Sequence, residues 1–408
     1  MGWPPSADDF ARLRETLAWI VERSPWYRRL FDEAGVRVAE LRTYDDFRRR
    51  VPRTEKTALA EDQRAHPPFG KFLAVPREEI TSLHTSPGPI YIPRLAEERG
   101  GTPVLVEAIR AMGVRPREVA HVTLSYHVMP GGLRLHRAFE EYGCLVINGG
   151  TGASRLQVQI AHDYGATVYA GTPSFLANLY ETAREMGVTL PYRLGFSTAE
   201  ALTPALRRAL PIELFDHIGE AQIGPVAGEC RAHDGMHLHA SDLFCEFLDP
   251  ETGEPAEGGG VGELVATQLG HHALPLVRYA PRDAYRLLPG ACPCGDRALR
   301  VAFVGQVGVI RKIKGVLIHP AQIHAVTSEL PELGRFQVVV DHPPGERYER
   351  AVLRAGTVTT PREPDALRRD LAARLKATVL VQMEVELVPE TDIPEAAGPP
   401  RFAEAIRS

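Results

Sequence analysis

Lysine is scarce in this 408-residue chain: of its 47 lysines and arginines only Lys56, Lys71, Lys312, Lys314 and Lys376 are lysines. GC-rich codons favour arginine and account for such a bias, yet the count has a chemical use. Any reaction that needs a lysine ammonium has five places to find one, and none lies in the last thirty residues. Cysteine is equally scarce, at Cys144, Cys230, Cys245, Cys292 and Cys294. An odd number, thinly spread, excludes a disulfide scaffold and leaves free thiols or metal ligands. No apolar run approaches the roughly 18–20 residues of a membrane span. The N-terminus lacks the basic start and apolar block of a secretory signal. Neither charge sign dominates, the net being −5 with 24% charged residues, which speaks against nucleic acid as a partner. With 44% apolar residues the chain is too apolar for disorder. A soluble cytoplasmic protein of two or three domains is expected, at about 100–200 residues per domain.

The first sixty residues read as helices over Phe10–Arg23, Trp26–Ala34 and Asp45–Arg50. From about residue 102 strands and helices alternate. Helices are expected over Pro103–Met112, Leu133–Tyr142, Ser154–Tyr164 and Ser174–Met186, and strands over His121–Leu124, Cys144–Ile147 and Thr167–Ala170. This alternation predicts right-handed βαβ units and a mostly parallel sheet. After residue 236, His237–Leu248 and Gly262–Gln268 flank the turn Asp249–Gly253 and read as antiparallel strands, and His272–Leu288 continues in the same style. A smaller mixed unit follows, with strands Gln337–Asp341, Ala351–Ala355 and Val381–Val388 and a helix over Glu363–Lys376. The predicted class is α/β. A large N-terminal domain (1–304) has mostly parallel sheets and a β-rich part over about 236–304, and a small mobile α+β domain covers 305–408.

Six segments in register carry a resemblance. They are SPWYRRLFDEAG (24–35), GGTGASRLQVQIAHDYGATVYAGTPSFLANL (149–179), IGPVAGEC (223–230), DPETGEP…GGGVGELV (249–265), LPLVRYAPRDAYRLLPG (274–290) and KGVLIHPAQIHAVTSELPEL (314–333). Together they resemble the phenylacetate-CoA ligase branch of the adenylate-forming superfamily over almost the whole chain. The resemblance implies two half-reactions. A carboxylate attacks ATP to give an acyl-adenylate, and after the small domain rotates, a thiol attacks the adenylate.

The adenylating half departs from that pattern. Where the superfamily clamps phosphates with a loop like SSGTTGKP, this chain has Leu83-His84-Thr85-Ser86-Pro87-Gly88-Pro89-Ile90. The loop is shorter, it has lost its lysine, and two prolines remove N–H donors. Where the tail should present a lysine, the chain reads Ile393-Pro394-Glu395-Ala396-Ala397-Gly398-Pro399-Pro400-Arg401. A guanidinium at Arg401 is a poor substitute for a compact ammonium. The adenine-stacking motif appears as Asp216-His217-Ile218-Gly219-Glu220, keeping only the glutamate, and the hinge as Gly305-Gln306-Val307-Gly308-Val309.

Other features are kept. The resemblance assigns Glu200, Glu220, Arg278 and Asp283 to the nucleotide or coenzyme A, and Lys312 and Lys314 to thioester formation. It places Tyr126, Gly149, Gly150 and Thr151 along the acyl group, with His127 as a candidate general base for a thiol. Cys230, His237, Cys292 and Cys294 would supply a tetrahedral Cys₃His structural zinc site, with His233 and His239 as rival ligands.

Three functions follow. The first is an acyltransferase that has lost ATP-dependent adenylation and moves an aryl or other acyl group from acyl-CoA to the phosphopantetheine of an acyl carrier protein. The second is an ATP- and magnesium-dependent aryl-CoA ligase, acting on an aromatic carboxylate, with divergent phosphate contacts. The third is a non-catalytic binding partner. The pattern of missing lysines favours the first.

Overall fold

The computed structural model describes residues 6–86, 90–96, 98, 102–200, 202–307, 311–313, 316–318, 320–341, 350–379, 381–394 and 402–404. The chain divides into two units. One comprises Met1–Leu202, Leu206–Pro281 and Leu287–Ala302, and the other comprises Phe303–Ser408 with Thr203–Ala205 and Arg282–Arg286.

The first unit opens on the helix Ala7–Arg23, started by a capping box in which the Ser6 hydroxyl accepts from the Asp9 N–H and the Asp9 carboxylate accepts from the Ser6 N–H. Phe10, Leu13, Leu17 and Ile20 recur at helical spacing and are buried. Pro25–Glu33 and Tyr44–Arg50 follow as the periodicity predicts. Lys56–Ala65 is a further helix that periodicity does not announce, because its buried face holds Asp62 and Gln63 beside Leu59. Gln63 brackets the Tyr91 backbone, donating to its carbonyl and accepting from its N–H, both at 2.8 Å.

The parallel sheet is built on Val119–Val122, which lies between Leu145–Asn148 and Val168–Gly171. Leu194–Ser197 and Glu213–Glu220 continue it, all parallel. Helices Pro130–Tyr142, Ser154–Asp163 and Pro173–Met186 make the crossovers. Both faces of the central strands are covered, so Val168–Gly171 and Leu194–Ser197 are buried throughout, whereas the edge strand Leu145–Asn148 is exposed at both ends. Val168 and Ala170 pack with Leu105, Leu135 and Phe139 on one face, while Tyr169 packs with Val158, Leu176 and Leu179 on the other.

Glu213–Glu220 then turns back antiparallel into Gly224–Glu229, which pairs with Met236–Leu238. The β-rich part adds Leu243–Leu248 and Val261–Gln268, antiparallel from Leu243↔Gln268 to Leu248↔Glu263. The single strand expected over His237–Leu248 is two. Met236–Leu238 pairs with Gly224–Glu229, Leu243–Leu248 pairs with Val261–Gln268, and the polar Ser241-Asp242 breaks them.

In the second unit Leu333–Asp341 pairs antiparallel with Arg350–Thr357, which pairs in parallel with Glu384–Pro389. Helices Pro320–Thr327 and Pro364–Val379 contribute Ile323, Leu371, Leu375 and Val379 to a core shared with Val338 and Leu353. The fold is α/β, as expected, with this smaller α+β unit following the larger one.

Candidate active site

Open parallel sheets bind ligands in the crevice beyond the carboxyl ends of their strands, where loops are free to diverge. A cavity of about 180 Å³ lies there. Leu124 reaches it from beyond Val119–Val122, Thr198 and Ala199 from beyond Leu194–Ser197, and Gly219, Glu220 and Ala221 from the end of Glu213–Glu220. Its walls are largely apolar, with Leu105, Leu135 and Phe196 prominent, and its polar members include Arg134, His217 and His239.

Glu220, which the resemblance assigns to the nucleotide, has a cation beside it. Lys56 Nζ lies 3.0 Å from Glu220 Oε1. The Gln222 N–H donates to Glu220 Oε2 at 2.6 Å. In the orientation that satisfies both ends of its amide, Gln222 also donates to the Glu220 carboxylate and accepts from the Ser86 hydroxyl. Ser86 ends the strand Ser82–Ser86, which pairs antiparallel with Ile90–Arg94 through Ser86↔Ile90. Pro87, Gly88 and Pro89 themselves lie outside the described residues.

His217 stacks on Phe196 at 3.7 Å between centroids and 12° between planes. Its Nδ1 faces the Phe215 carbonyl at 3.1 Å, which fixes the proton there and leaves Nε2 a bare acceptor with no partner. Burial, and then the neighbouring His239, hold its pKa down at about 3, so the ring is neutral. Room for the ring depends on Gly228, its register partner, where a Cβ would stand 2.3 Å from His217 Cδ2.

Several expected residues have other employment. His127 is exposed, and the Tyr126 hydroxyl bonds His136 Nδ1 at 3.1 Å. Gly149, Gly150 and Thr151 sit at the end of Leu145–Asn148, where Gly149 packs against His121 and Gln157. None of these five lines the cavity. Glu200 is exposed and accepts from the Ser174 N–H at the start of Pro173–Met186. Arg278 is 4% exposed and fully engaged: it donates to both oxygens of Glu246 at 2.9 and 3.1 Å, and to the Arg48 and Val51 carbonyls at 2.6 Å each. That makes it a clamp between the Tyr44–Arg50 helix and the β-rich part rather than a ligand-facing arginine. Asp283 opens the strand Asp283–Leu288 and belongs to the second unit. Lys312 lies in the strand Arg311–Ile313, whereas Lys314 and the tail residues 395–401 fall outside the described residues. Sequence reasoning missed Lys56 and Arg134, since neither stands in a motif.

Cys230, His237, Cys292 and Cys294 converge, with one ligand atom from each lying within 4.8 Å of the others. Cys230 Sγ and Cys292 Sγ are 3.6 Å apart, and Cys294 Sγ is 3.5 Å from His237 Nε2. About a tetrahedral zinc with bonds of about 2.3 Å to sulfur and 2.0–2.1 Å to nitrogen, such pairs stand roughly 3.5–3.8 Å apart, so the four residues fit that ion. Backbone N–H groups of Ala232 and Asp296 point at Cys230 Sγ and Cys294 Sγ, each at 3.4 Å. The rival His233 is instead tied to Glu229 and Glu213, both at 3.2 Å.

The architecture is shared with a solved coenzyme A ligase. A crystal structure of 2-hydroxyisobutyryl-CoA ligase in an open conformation superposes with a TM-score of 0.85 at 23% identity, over 97% of this chain and 91% of that one. The chain belongs to the phenylacetate-coenzyme A ligase family. It is 33% identical to the phenylacetate-coenzyme A ligase of Thermus thermophilus over 95% of this chain and 93% of the relative. It is 35% identical to that of Pseudomonas putida (80% and 76%) and 31% identical to that of Escherichia coli (95% and 91%). No protein-family model matches. These relatives are acid–thiol ligases, which overturns the expectation of an acyltransferase between thiols. That expectation read missing motif lysines as missing chemistry. A charge can also be supplied from elsewhere in the chain, and Lys56 stands beside Glu220.

Proposed function

We propose that this protein is an ATP-dependent, AMP-forming ligase that joins a small aromatic carboxylic acid to coenzyme A. The observation that carries the reading is the Lys56–Glu220 pair at the cavity, 3.0 Å across. It sets a lysine against the carboxylate that this reading gives to the nucleotide, in a chain whose 83–90 and 393–401 segments contain none. In the first step a carboxylate oxygen attacks the α-phosphorus of ATP and pyrophosphate leaves. In the second, the coenzyme A sulfur attacks the acyl carbonyl and AMP leaves. Lys56 is placed to offset charge on the phosphates as the first step proceeds. Glu220 is the carboxylate that would meet the magnesium accompanying the nucleotide. A cavity of about 180 Å³ suits a single ring, since benzene occupies an engineered cavity of about 150 Å³.

The four-residue Cys/His cluster serves, in this reading, as a structural zinc site. Cys230 and Cys292 are each the start of a tight turn, with the His233 N–H donating to the Cys230 carbonyl and the Gly295 N–H to the Cys292 carbonyl, both at 3.0 Å. A closed four-ligand set leaves no position for substrate, so the ion would staple two loops rather than take part in the reaction.

The test is to supply ATP, magnesium, coenzyme A and a panel of arylacetic and benzoic acids, and to measure pyrophosphate together with acyl-CoA mass. The expected result is stoichiometric pyrophosphate and thioester with at least one acid. Folded protein that binds an acid yet releases no pyrophosphate with any of them would refute the ligase reading.

A further inference from the structure

Arg134 lies in the Pro130–Tyr142 helix and lines the cavity. Its Nη2 donates to the Ala221 carbonyl at 3.1 Å, which fixes the guanidinium against the end of the Glu213–Glu220 strand. Its Nε is buried and has no partner among the described residues. Among the described residues Arg134 makes no ion pair. The one carboxylate among the cavity's lining residues, Glu220, is held by Lys56 and Gln222. A half-buried guanidinium held by one carbonyl, with no counter-ion among the described residues, gains from an anion in so apolar a cavity. The missing component is an anion, and an anion that arrives with an apolar body.

We infer that Arg134 is the residue that receives the carboxylate of the acid substrate, holding it at the cavity wall for attack on the nucleotide. A carboxylate accepts two parallel N–H bonds from one guanidinium, so Arg134 can fix both its position and its plane. The cavity argues for a carboxylate rather than a phosphate. About 180 Å³ bounded by Leu105, Leu124, Leu135 and Phe196 accommodates a ring with a short acid arm, not a nucleotide. The sequence argues the same way, because the tail that would otherwise bring a lysine to the reacting carboxylate contains none. This inference rests on the ligase reading for the fate of the carboxylate, but its test is one of binding.

The experiment is calorimetric titration of the full chain with phenylacetate, with its uncharged isostere phenylacetamide, and separately with a non-hydrolysable ATP analogue. The wild type is expected to prefer the acid over the amide by ten- to hundredfold, as for a hydrogen bond to a charged group. In Arg134→Gln that preference falls to near unity, while amide and nucleotide affinities hold within twofold. Arg134→Lys, which keeps the charge without the fork, retains part of the preference and covers the case in which the glutamine variant fails to fold. Equal binding of acid and amide by the wild type, or no binding of either, overturns the assignment. So does a loss of nucleotide rather than acid affinity in the variants, which would put Arg134 on a phosphate. Selective acid binding without pyrophosphate release would leave Arg134 in place and remove the ligase reading instead.

Discussion

Lys56 and Glu220 stand 164 positions apart in the chain and meet at 3.0 Å beside the cavity. The lysine side chain is 39% exposed and the glutamate 12%, so the pair contributes little to stability, on the order of 1 kcal/mol or less. Its value is the charge it delivers. Lys56→Met is expected to lower pyrophosphate release at saturating substrates by about a hundredfold, within the range for loss of one preorganised charge. Acid binding by calorimetry should stay unchanged. An active methionine variant would remove Lys56 from the chemistry.

Metal content is directly measurable. Protein purified without chelator is expected to hold one zinc per chain by elemental analysis, and Cys292→Ser to hold substantially less. The loss should lower the melting temperature by several degrees, because an ion bound only by the folded state stabilises that state. Metal-free wild type with an unchanged melting point would reduce the cluster to three unliganded thiols beside an imidazole.

Arg278 and Glu246 form a buried pair, 4% and 0% exposed along their side chains. Removing one partner leaves an uncompensated buried group, so Glu246→Gln should cost about 3–5 kcal/mol in urea unfolding. At temperatures where the variant is folded, its Michaelis constant for ATP should match the wild type. A selective rise in that constant would return Arg278 to the nucleotide.

Asp216 gives a pH signature. Burial, and then the nearby Glu229 carboxylate, raise its pKa from 3.8 to about 7, against the attraction of Arg207. An acid whose pKa is higher when folded binds more protons in the folded than in the unfolded state between those two values. Stability therefore falls as pH rises from about 4 to about 7, and Asp216→Asn should flatten that slope. Parallel stability–pH curves for the two proteins would show that the carboxyl is not the source.

The sequence made the helices and parallel strands legible because they carry the ordinary signals: a capping box at Ser6, apolar residues at Phe10, Leu13 and Leu17, and turn residues at Gly143 and Gly187 that adopt left-handed φ values of 96° and 67°. The convergence of Cys230, His237, Cys292 and Cys294 was legible from Cys-x-Cys at 292 and Cys-x₆-His at 230, since residue type narrows the choice. The cavity was not. Its polar residues come from a helix, two strand ends and a turn distant in sequence, and Arg134 differs from any surface helix arginine only in what it faces. Motif reasoning placed His127 at the acyl group because the loop after Val119–Val122 does lead to the cavity. That loop contributes Leu124 and Met129 instead, with His127 turned out to solvent between them.

Gly228 is the register partner of His217 on one side and of His237 on the other. A residue without a side chain thus separates an imidazole of the cavity from an imidazole of the Cys/His cluster, across a single strand. His239, two residues beyond His237, itself lines the cavity, so the two sites share a short run of backbone. Zinc-loaded and zinc-stripped preparations should consequently rank a panel of acids differently at temperatures where both are folded, which makes metal occupancy a quantity to fix before any substrate preference is assigned.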